Sequence, residues 1–514
     1  MKMIQPSCFT YGLALLCAIG VMASPGCNDG AALKGRTSSA GGAAGSVTSQ
    51  VGGAGAAGSA GKRCQEEGQA SAPIASKNCA VSARTVDPVF TCGQADCAVR
   101  KALDLTCDTR PLLPSLSATA EGSALLSLTQ RPDSGSTAAH LVTVTAADSR
   151  VEDVVQLNDG SLSWDWILES VMSSSSSGKR WIFAGGGTSL TALHETDTRW
   201  VHSSIPLSQN TGAYLSACMV DDNLGYLTYG TDADSYAPHL VTWDGSCWTD
   251  KTLASQGTPA STVLAVDDKK QPWVAWYNGI DSLYLRHPNG DTQNLLSNIM
   301  GDAMAGTTLG APIRILPGGL DGSTTFPLVA APAAGGIRLF SRNATDPGWR
   351  SALLPDLPYS GTKGDGCPSG LPTDDCRKDP CLGATSCDAQ VTIPSAGFDL
   401  VRTKSGRTYV AQVVTSSQGT YALQEAMSGY EFPTCYCDWT ETSGTGTADL
   451  ILTRVTEAEP IISHFRFDMG GARETAARDL VVAARGDTLL IAAQLGGSRV
   501  TTLTYIEIDS TRLP

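Results

Sequence analysis

A short pattern recurs along most of this 514-residue chain. An apolar, β-branched run is followed by a turn carrying Asp, Gly or Lys, and then by a second apolar run. It is read in "SATAEGSALLSLTQ", "SACMVDDNLGYLTYG", "TVLAVDDKKQPWVAWY", "FDLVRTKSGRTYVAQVV" and "DLVVAARGDTLLIAAQL", with looser copies in "SSSSGKRWIFAGGG" and "IRILPGGLDGSTTFPLVAAP". A third apolar run, a polar turn and often a tryptophan follow, as in "SLTALHETDTRW", "PHLVTWDGSCW", "SLYLRHPNGDTQNL" and "GIRLFSRNATDPGW". Short β-rich runs bounded by turn residues are the signature of hairpins, and after Leu116 almost nothing has a helical period. The clearest internal match sets "AAHLVTV" (138–144) against "APHLVTW" (237–243), an offset of 99 residues or two units of about 50. Comparable turns fall near Glu121, Gly178, Asn223, Lys270, Gly322, Ser405 and Gly486, at intervals of 45 to 57 residues and then two near 80.

A unit of about four strands cannot bury both of its faces alone, so neighbouring units must stack. Radial stacking of four-stranded sheets gives a β-propeller, which leaves only short, protected edges. The expected fold is therefore all-β, a propeller over residues 111–514 with seven blades, six to eight being compatible with the count. Two stacked β-sandwiches are the competing architecture. The tryptophan of the outer turn suits the wedge between adjacent sheets. Ring closure is expected from 500–508 pairing into the sheet that starts the domain.

The N-terminus reads differently. Lys2 and the apolar core 11–23 have the layout of an export signal (1–26), too short to span a bilayer and broken by Pro25 and Gly26. Cleavage after Ala23 would leave Cys27 a thiol. "SPGC" (24–27) resembles instead the lipobox of bacterial envelope lipoproteins, with Gly26 fitting the pattern and Ser24 and Pro25 departing from it. That resemblance implies a lipid on Cys27 and a place on the outer membrane or cell surface; the alternative is a secreted or periplasmic protein. Residues 27–61 are rich in Gly, Ala and Ser, a flexible coil suited to a tether.

Sixteen cysteines fit an oxidising compartment. The disulfide candidates are Cys64, Cys79, Cys92, Cys97 and Cys107 in a Cys-rich segment (62–110), a pair at Cys218 and Cys247, then Cys367, Cys376, Cys381 and Cys387, and finally Cys435 and Cys437. The segment 62–110 lacks the apolar residues for a core and is expected to be held largely by disulfides, with 92–107 as a short helix. It has no CxxC and no nearby histidine, so zinc is not expected. The cysteine-rich insertion 359–394 is the first candidate contact surface, because long insertions on a propeller face carry binding. "PTCYCDW" (433–439) is the second.

Chemistry is thinly signposted. His140, His239, His287 and His464 are assigned to third strands, where they are read as repeat-equivalent positions and not as metal ligands; His194 and His202 complete the set. The pairs Asp221/Asp222 and Asp267/Asp268 are read as hairpin-turn residues in preference to calcium ligands. Ser341, Gly348 and Trp349 hint at the Asp box of sialidase-type propellers. Ser173–Ser177 reads as a flexible loop. No nucleophile elbow, P-loop or dinucleotide glycine pattern is present, and no cofactor or metal is expected. A net charge of −14 argues against nucleic acid as a partner and against direct anchoring to an anionic membrane. The expectation is a non-catalytic surface-exposed binding or scaffolding protein contacting protein or glycan, reaching the membrane only through its lipid. The alternative is an exported hydrolase or lyase acting on polysaccharide from the same ring.

Overall fold

The computed structural model describes residues 62–64, 70–71, 74–75, 79–83, 87–88, 99–107, 111–118, 124–130, 140–145, 150–156, 169–186, 189–196, 199–205, 215–230, 237–253, 261–278, 282–297, 309, 312–320, 326–333, 336–345, 348–355, 387–428, 434–456, 461–468, 480–494 and 502–513. Among the described residues every regular element is a strand, apart from two single 3₁₀ turns at Leu295–Ser297 and Ser510–Arg512. None of them is in a helix long and apolar enough to cross a membrane.

The strands form seven antiparallel sheets, in each of which the three innermost strands follow chain order from the inside outward. We number them as blades by their innermost strands: Pro111–Ala118 in blade 1, Glu169–Ser174 in blade 2, Ser216–Asp221 in blade 3, Ser261–Val266 in blade 4, Arg314–Leu316 in blade 5, Cys387–Arg402 in blade 6 and Leu480–Arg485 in blade 7. Each innermost strand lies against that of the next blade, and that of blade 7 lies against that of blade 1, so the ring closes as a β-propeller.

Apolar residues on both faces of each sheet pack into wedges between blades. Trp181 and Phe183 of blade 2 meet Trp243 and Trp248 of blade 3. Trp273 of blade 4 shares a core with Phe340 and Trp349 of blade 5. Trp181, Trp248 and Trp349 are fully buried, as expected of tryptophans filling a wedge. Trp349 of the Asp-box-like segment thus belongs to the core.

Several hairpin turns share one geometry. In Ser175–Lys179, Asp267–Gln271, His287–Asp291 and Thr403–Arg407 the first N–H donates to the fifth carbonyl and the fourth N–H to the first carbonyl. The fourth residue is left-handed, and glycine fills that place at Gly178, Gly290 and Gly406. At Lys270 (φ 63°) a side chain takes the same strained backbone.

The N-terminal region departs most from expectation. Its described strands do not form a unit of their own but join the blades. Lys62–Cys64 adds a fifth strand to blade 3, Ala70–Ser71 to blade 2, Ile74–Ala75 to blade 1, Cys79–Ala83 to blade 7 and Asp87–Pro88 to blade 6. The chain runs as a belt around the outside of the ring, against the blade order. It then contributes Val99–Cys107 as the fourth strand of blade 7, beside Thr502–Asp509. This stretch is extended where a helix was expected, because it pairs on both edges. Closure is accordingly made inside blade 7 by an N-terminal strand, and the C-terminal strand does not enter the sheet that begins at 111.

The Cys218–Cys247 pairing is also corrected. Cys218 sits on the innermost strand of blade 3 and Cys247 on its fourth, too far apart to bond. Cys218 keeps a free thiol, pushed up to about 11 by burial, whereas Cys247 and Cys79 are disulfide-bonded. In the backbone register Cys64 lies opposite Cys247 and Cys107 opposite Cys79.

Candidate functional site

Around the ring axis, polar side chains of one innermost strand are engaged by the backbone of the next blade. Met219 N–H donates to Ser173 Oγ (2.8 Å), Leu264 N–H to Ser216 Oγ (3.1 Å) and Ile313 N–H to Ser261 Oγ (3.2 Å). Between blades 6 and 7 the acceptor is a carboxylate: Val482 N–H donates to Asp399 Oδ2 (2.8 Å). Asp399 Oδ1 accepts from Arg314 Nε of blade 5 (3.0 Å) and from Leu400 N–H (2.9 Å), so one side chain ties three blades. Burial pushes its carboxyl above the ordinary range, against the pull of Arg314 and the two amides.

On the face formed by the turns between first and second strands, the blades are stitched again. Ser175 and Ser177 of blade 2 donate to Asp222 Oδ1 of blade 3 (2.6 and 2.8 Å). Asp221 pairs with Lys270 of blade 4 (2.7 Å), and Tyr226 OH donates to the Lys270 carbonyl (3.0 Å), which accounts for a side chain at that left-handed position. Ser405 N–H of blade 6 donates to Asp487 Oδ1 of blade 7 (2.9 Å). Lys270 and the Ser175 and Ser177 hydroxyls hold the Asp221 and Asp222 carboxyls below the usual range. The serine run is therefore a strand end and a fastened turn, where a flexible loop was expected. Asp221 and Asp267 act in their turns as expected, accepting from Asn223 N–H, and from Lys269 and Gln271 N–H.

The histidines do not converge on the axis. His140, His194 and His239 lie on third strands and His287 just after one, whereas His202 and His464 lie on fourth strands, which corrects the placement of His464. His239 Nδ1 and Tyr229 OH contact the two oxygens of Asp250 (3.0 and 2.7 Å) in a sealed cluster inside blade 3. His194 packs on Trp181 (4.7 Å), and burial with the nearby Lys179 lowers it to about 4. Among the described residues no three His, Cys, Asp or Glu side chains are grouped to hold a metal ion.

The opposite face carries the structure's main irregularity. The first three strands of blade 6 run for 16, 21 and 22 residues (Cys387–Arg402, Thr408–Ser428 and Thr434–Val455), against three to eight in the inner three strands of every other blade. Its fourth strand, Ile461–Asp468, stops opposite Thr447. Beyond that point 417–428 pairs with 434–446 as a ribbon, roughly 35 to 40 Å long at the usual rise per residue. Cys387–Pro394, the end of the insertion, broadens its base by pairing with 414–421. A register shift between Pro394 and Phe398 marks where the arm leaves the ring, and a second falls between Thr420 and Tyr421.

The described parts of both candidate contact segments, Cys387–Pro394 and 434–439, thus lie in one arm. The segment expected to be a loop around "PTCYCDW" is, from Thr434 onward, one strand of it. In the backbone register Cys435 lies opposite Met427, Cys437 opposite Glu425 and Trp439 opposite Leu423. Cys27, Cys92, Cys97, Cys367, Cys376 and Cys381 lie outside the described residues. The inter-blade role of these serines and of Asp399 escaped the sequence reading; Ser216 and Ser261 open their inner strands, whereas Ser173 and Asp399 lie near the ends of theirs, so no common position marked them.

No protein-family model matches the chain, and no curated protein matches it. Solved structures with a similar arrangement include an Aleuria aurantia lectin in complex with Fucα1-6GlcNAc (12% identity over 54% of this chain and 95% of that one, TM-score 0.34). An alpha-L-arabinofuranosidase from Fusarium graminearum is 9% identical over 78% of this chain and 99% of that one, with a TM-score of 0.35. The polysaccharide lyase Uly1 is 8% identical over 85% of this chain and all of that one (100%), with a TM-score of 0.33. At these scores the likenesses decide nothing about activity.

Proposed function

We propose that this chain is a non-catalytic binding or scaffolding protein that presents a rigid propeller, with the blade 6 arm as its contact surface for a protein or a glycan. The observation that carries the reading is the arm itself. Its first three strands run on past the end of the fourth, and 417–428 pairs with 434–446 as a ribbon whose base is broadened by Cys387–Pro394. The inner-strand serines and Asp399 support the same reading, because they are engaged in holding blades together. A lipid on Cys27 and the following Gly/Ala coil would display this face away from a membrane.

The test is to replace 418–445 by a two-residue turn in the mature chain and compare it with the intact protein on a glycan array and against envelope extracts. Binding by the intact chain that disappears on trimming supports the proposal. Retained binding, or release of oligosaccharide from a polysaccharide panel by both forms, would move the function to the ring and favour the hydrolase or lyase alternative. Intact-mass measurement on membrane-fraction protein tests the anchor separately: a diacylated Cys27 is expected, and an unmodified chain starting at Ser24 would exclude it.

A further inference from the structure

Two of the five belt strands place a cysteine opposite a cysteine of the blade they join. Cys64 ends the strand on blade 3 and lies opposite Cys247; Cys79 opens the strand on blade 7 and lies opposite Cys107. Directly opposed residues of antiparallel strands have Cα atoms about 4.5–5.5 Å apart, within the span that a disulfide bridges. Cys247 and Cys79 are both disulfide-bonded, and Cys247 is buried. Among the other described cysteines, Cys218 keeps its thiol, and Cys387, Cys435 and Cys437 lie on inner strands of a different sheet, blade 6.

We propose that the Cys247 disulfide is made to Cys64 and the Cys79 disulfide to Cys107, so that the belt is a covalent strap. Between Cys64 and Cys79 the chain passes from blade 3 over blades 2 and 1 to blade 7, and its described strands on the way are Ala70–Ser71 and Ile74–Ala75. Strands of two residues fall below the usual length and hold an edge weakly. Bonds at both ends of the stretch keep these short pairings in place. They also close a covalent circuit: along the belt to Cys79, across to Cys107, through blades 1 and 2 into blade 3 as far as Cys247, and back to Cys64. Blades 7, 1, 2 and 3 are thereby strapped from the outside across three junctions, and the circuit restricts the unfolded chain as a disulfide-closed loop does.

Each bond forms by thiol–disulfide exchange with a disulfide-bearing oxidoreductase. Two cysteine thiols give up two protons and two electrons, and the disulfide of the oxidant is reduced to a dithiol. With Cys218 a thiol, the cysteines after Cys27 that remain to be paired are even in number, so the pairing scheme makes no demand on Cys27 and leaves it available for a lipid. The strap also sets where the N-terminal segment meets the ring: at Lys62–Cys64, on the outer edge of blade 3.

Peptide mapping of the full mature chain, alkylated in denaturant without reduction, tests the pairing on the unaltered protein. Linked peptides joining Cys64 to Cys247 and Cys79 to Cys107 are expected. Cys247 or Cys79 linked to any other cysteine, or Cys64 or Cys107 recovered alkylated, would overturn the proposal. Hydrogen exchange tests the strap itself, comparing the intact chain with a variant carrying Cys64→Ser and Cys247→Ser. Amides of 62–64 and 70–71 should exchange at least tenfold faster in the variant, while those of Ser261–Val266 in blade 4 keep their protection. Equal exchange at the belt in both proteins would show that the belt stays on the ring without its covalent end, and the strap would be withdrawn.

Discussion

On one face of the ring, successive turns hold one another: Ser175 and Ser177 reach Asp222, Lys270 reaches Asp221, and Ser405 reaches Asp487. On the other face, blade 6 continues past its own fourth strand as a two-stranded ribbon. The same repeat unit produces both. Strand length within the ring is set by what the inter-blade wedge can bury. The fastened face is where substitutions should cost stability. The extended face is where they should change contacts.

Four measurements bear on that contrast. The largest effect is expected at Asp399. Asp399→Ala leaves the Arg314 guanidinium and the Val482 N–H without their acceptor at a junction of three blades, and denaturant titration should show a loss of about 3–5 kcal/mol. Asp399→Asn keeps an acceptor for Val482 and should lose less. Next come the serine latches: Ser216→Ala and Ser261→Ala each strand a buried N–H, at about 1–3 kcal/mol. They sit at different junctions, so the double variant should show the sum.

The third effect depends on pH. His194 is held neutral down to about 4 in the folded ring, while an unfolded histidine takes up its proton near 6.5. The unfolded state therefore binds more protons across this window. The His194 contribution is fully present above about 6.5 and falls away as pH drops toward 4. His194→Phe should flatten that part of the Tm profile, and an unchanged profile would remove His194 from the account. The smallest effect is expected on the other face. Trimming 418–445 to a tight turn should shift stability by no more than about 0.5 kcal/mol, as for surface changes away from packed groups. A large loss would show that the arm is part of the ring's framework.

The repeat was legible because hairpin turns impose composition. Gly178, Gly406 and the paired aspartates sit where backbone geometry demands them, and buried tryptophans mark the wedges. The belt was not legible, since strands of two or three residues carry no period and take their conformation from the edge they join. Val99–Cys107 was mistaken for a helix because a run with two paired edges and mixed polarity resembles one. Ser173, Ser175 and Ser177 were hidden in a serine run that looks like a flexible loop, and Ser216 and Ser261 are single serines with no local signal. The arm was obscured because its length shows only in pairing, and pairing partners such as Gly419 and Gly444 leave no compositional mark. His464 was misplaced for the same reason, as the long hairpin shifted the strand count.

Blade 7 takes its fourth strand from the beginning of the chain and its other three from the end. Val99 pairs with Ile508, 409 positions later. A ribosome would therefore deliver the first half of this seam long before the second. During synthesis the early strand has only Cys79–Ala83 beside it, and the circle cannot shut until 480–509 emerge. Maturation of such a molecule is limited by the arrival of 480–509, and a nascent chain halted before them would remain an open arc with two raw edges.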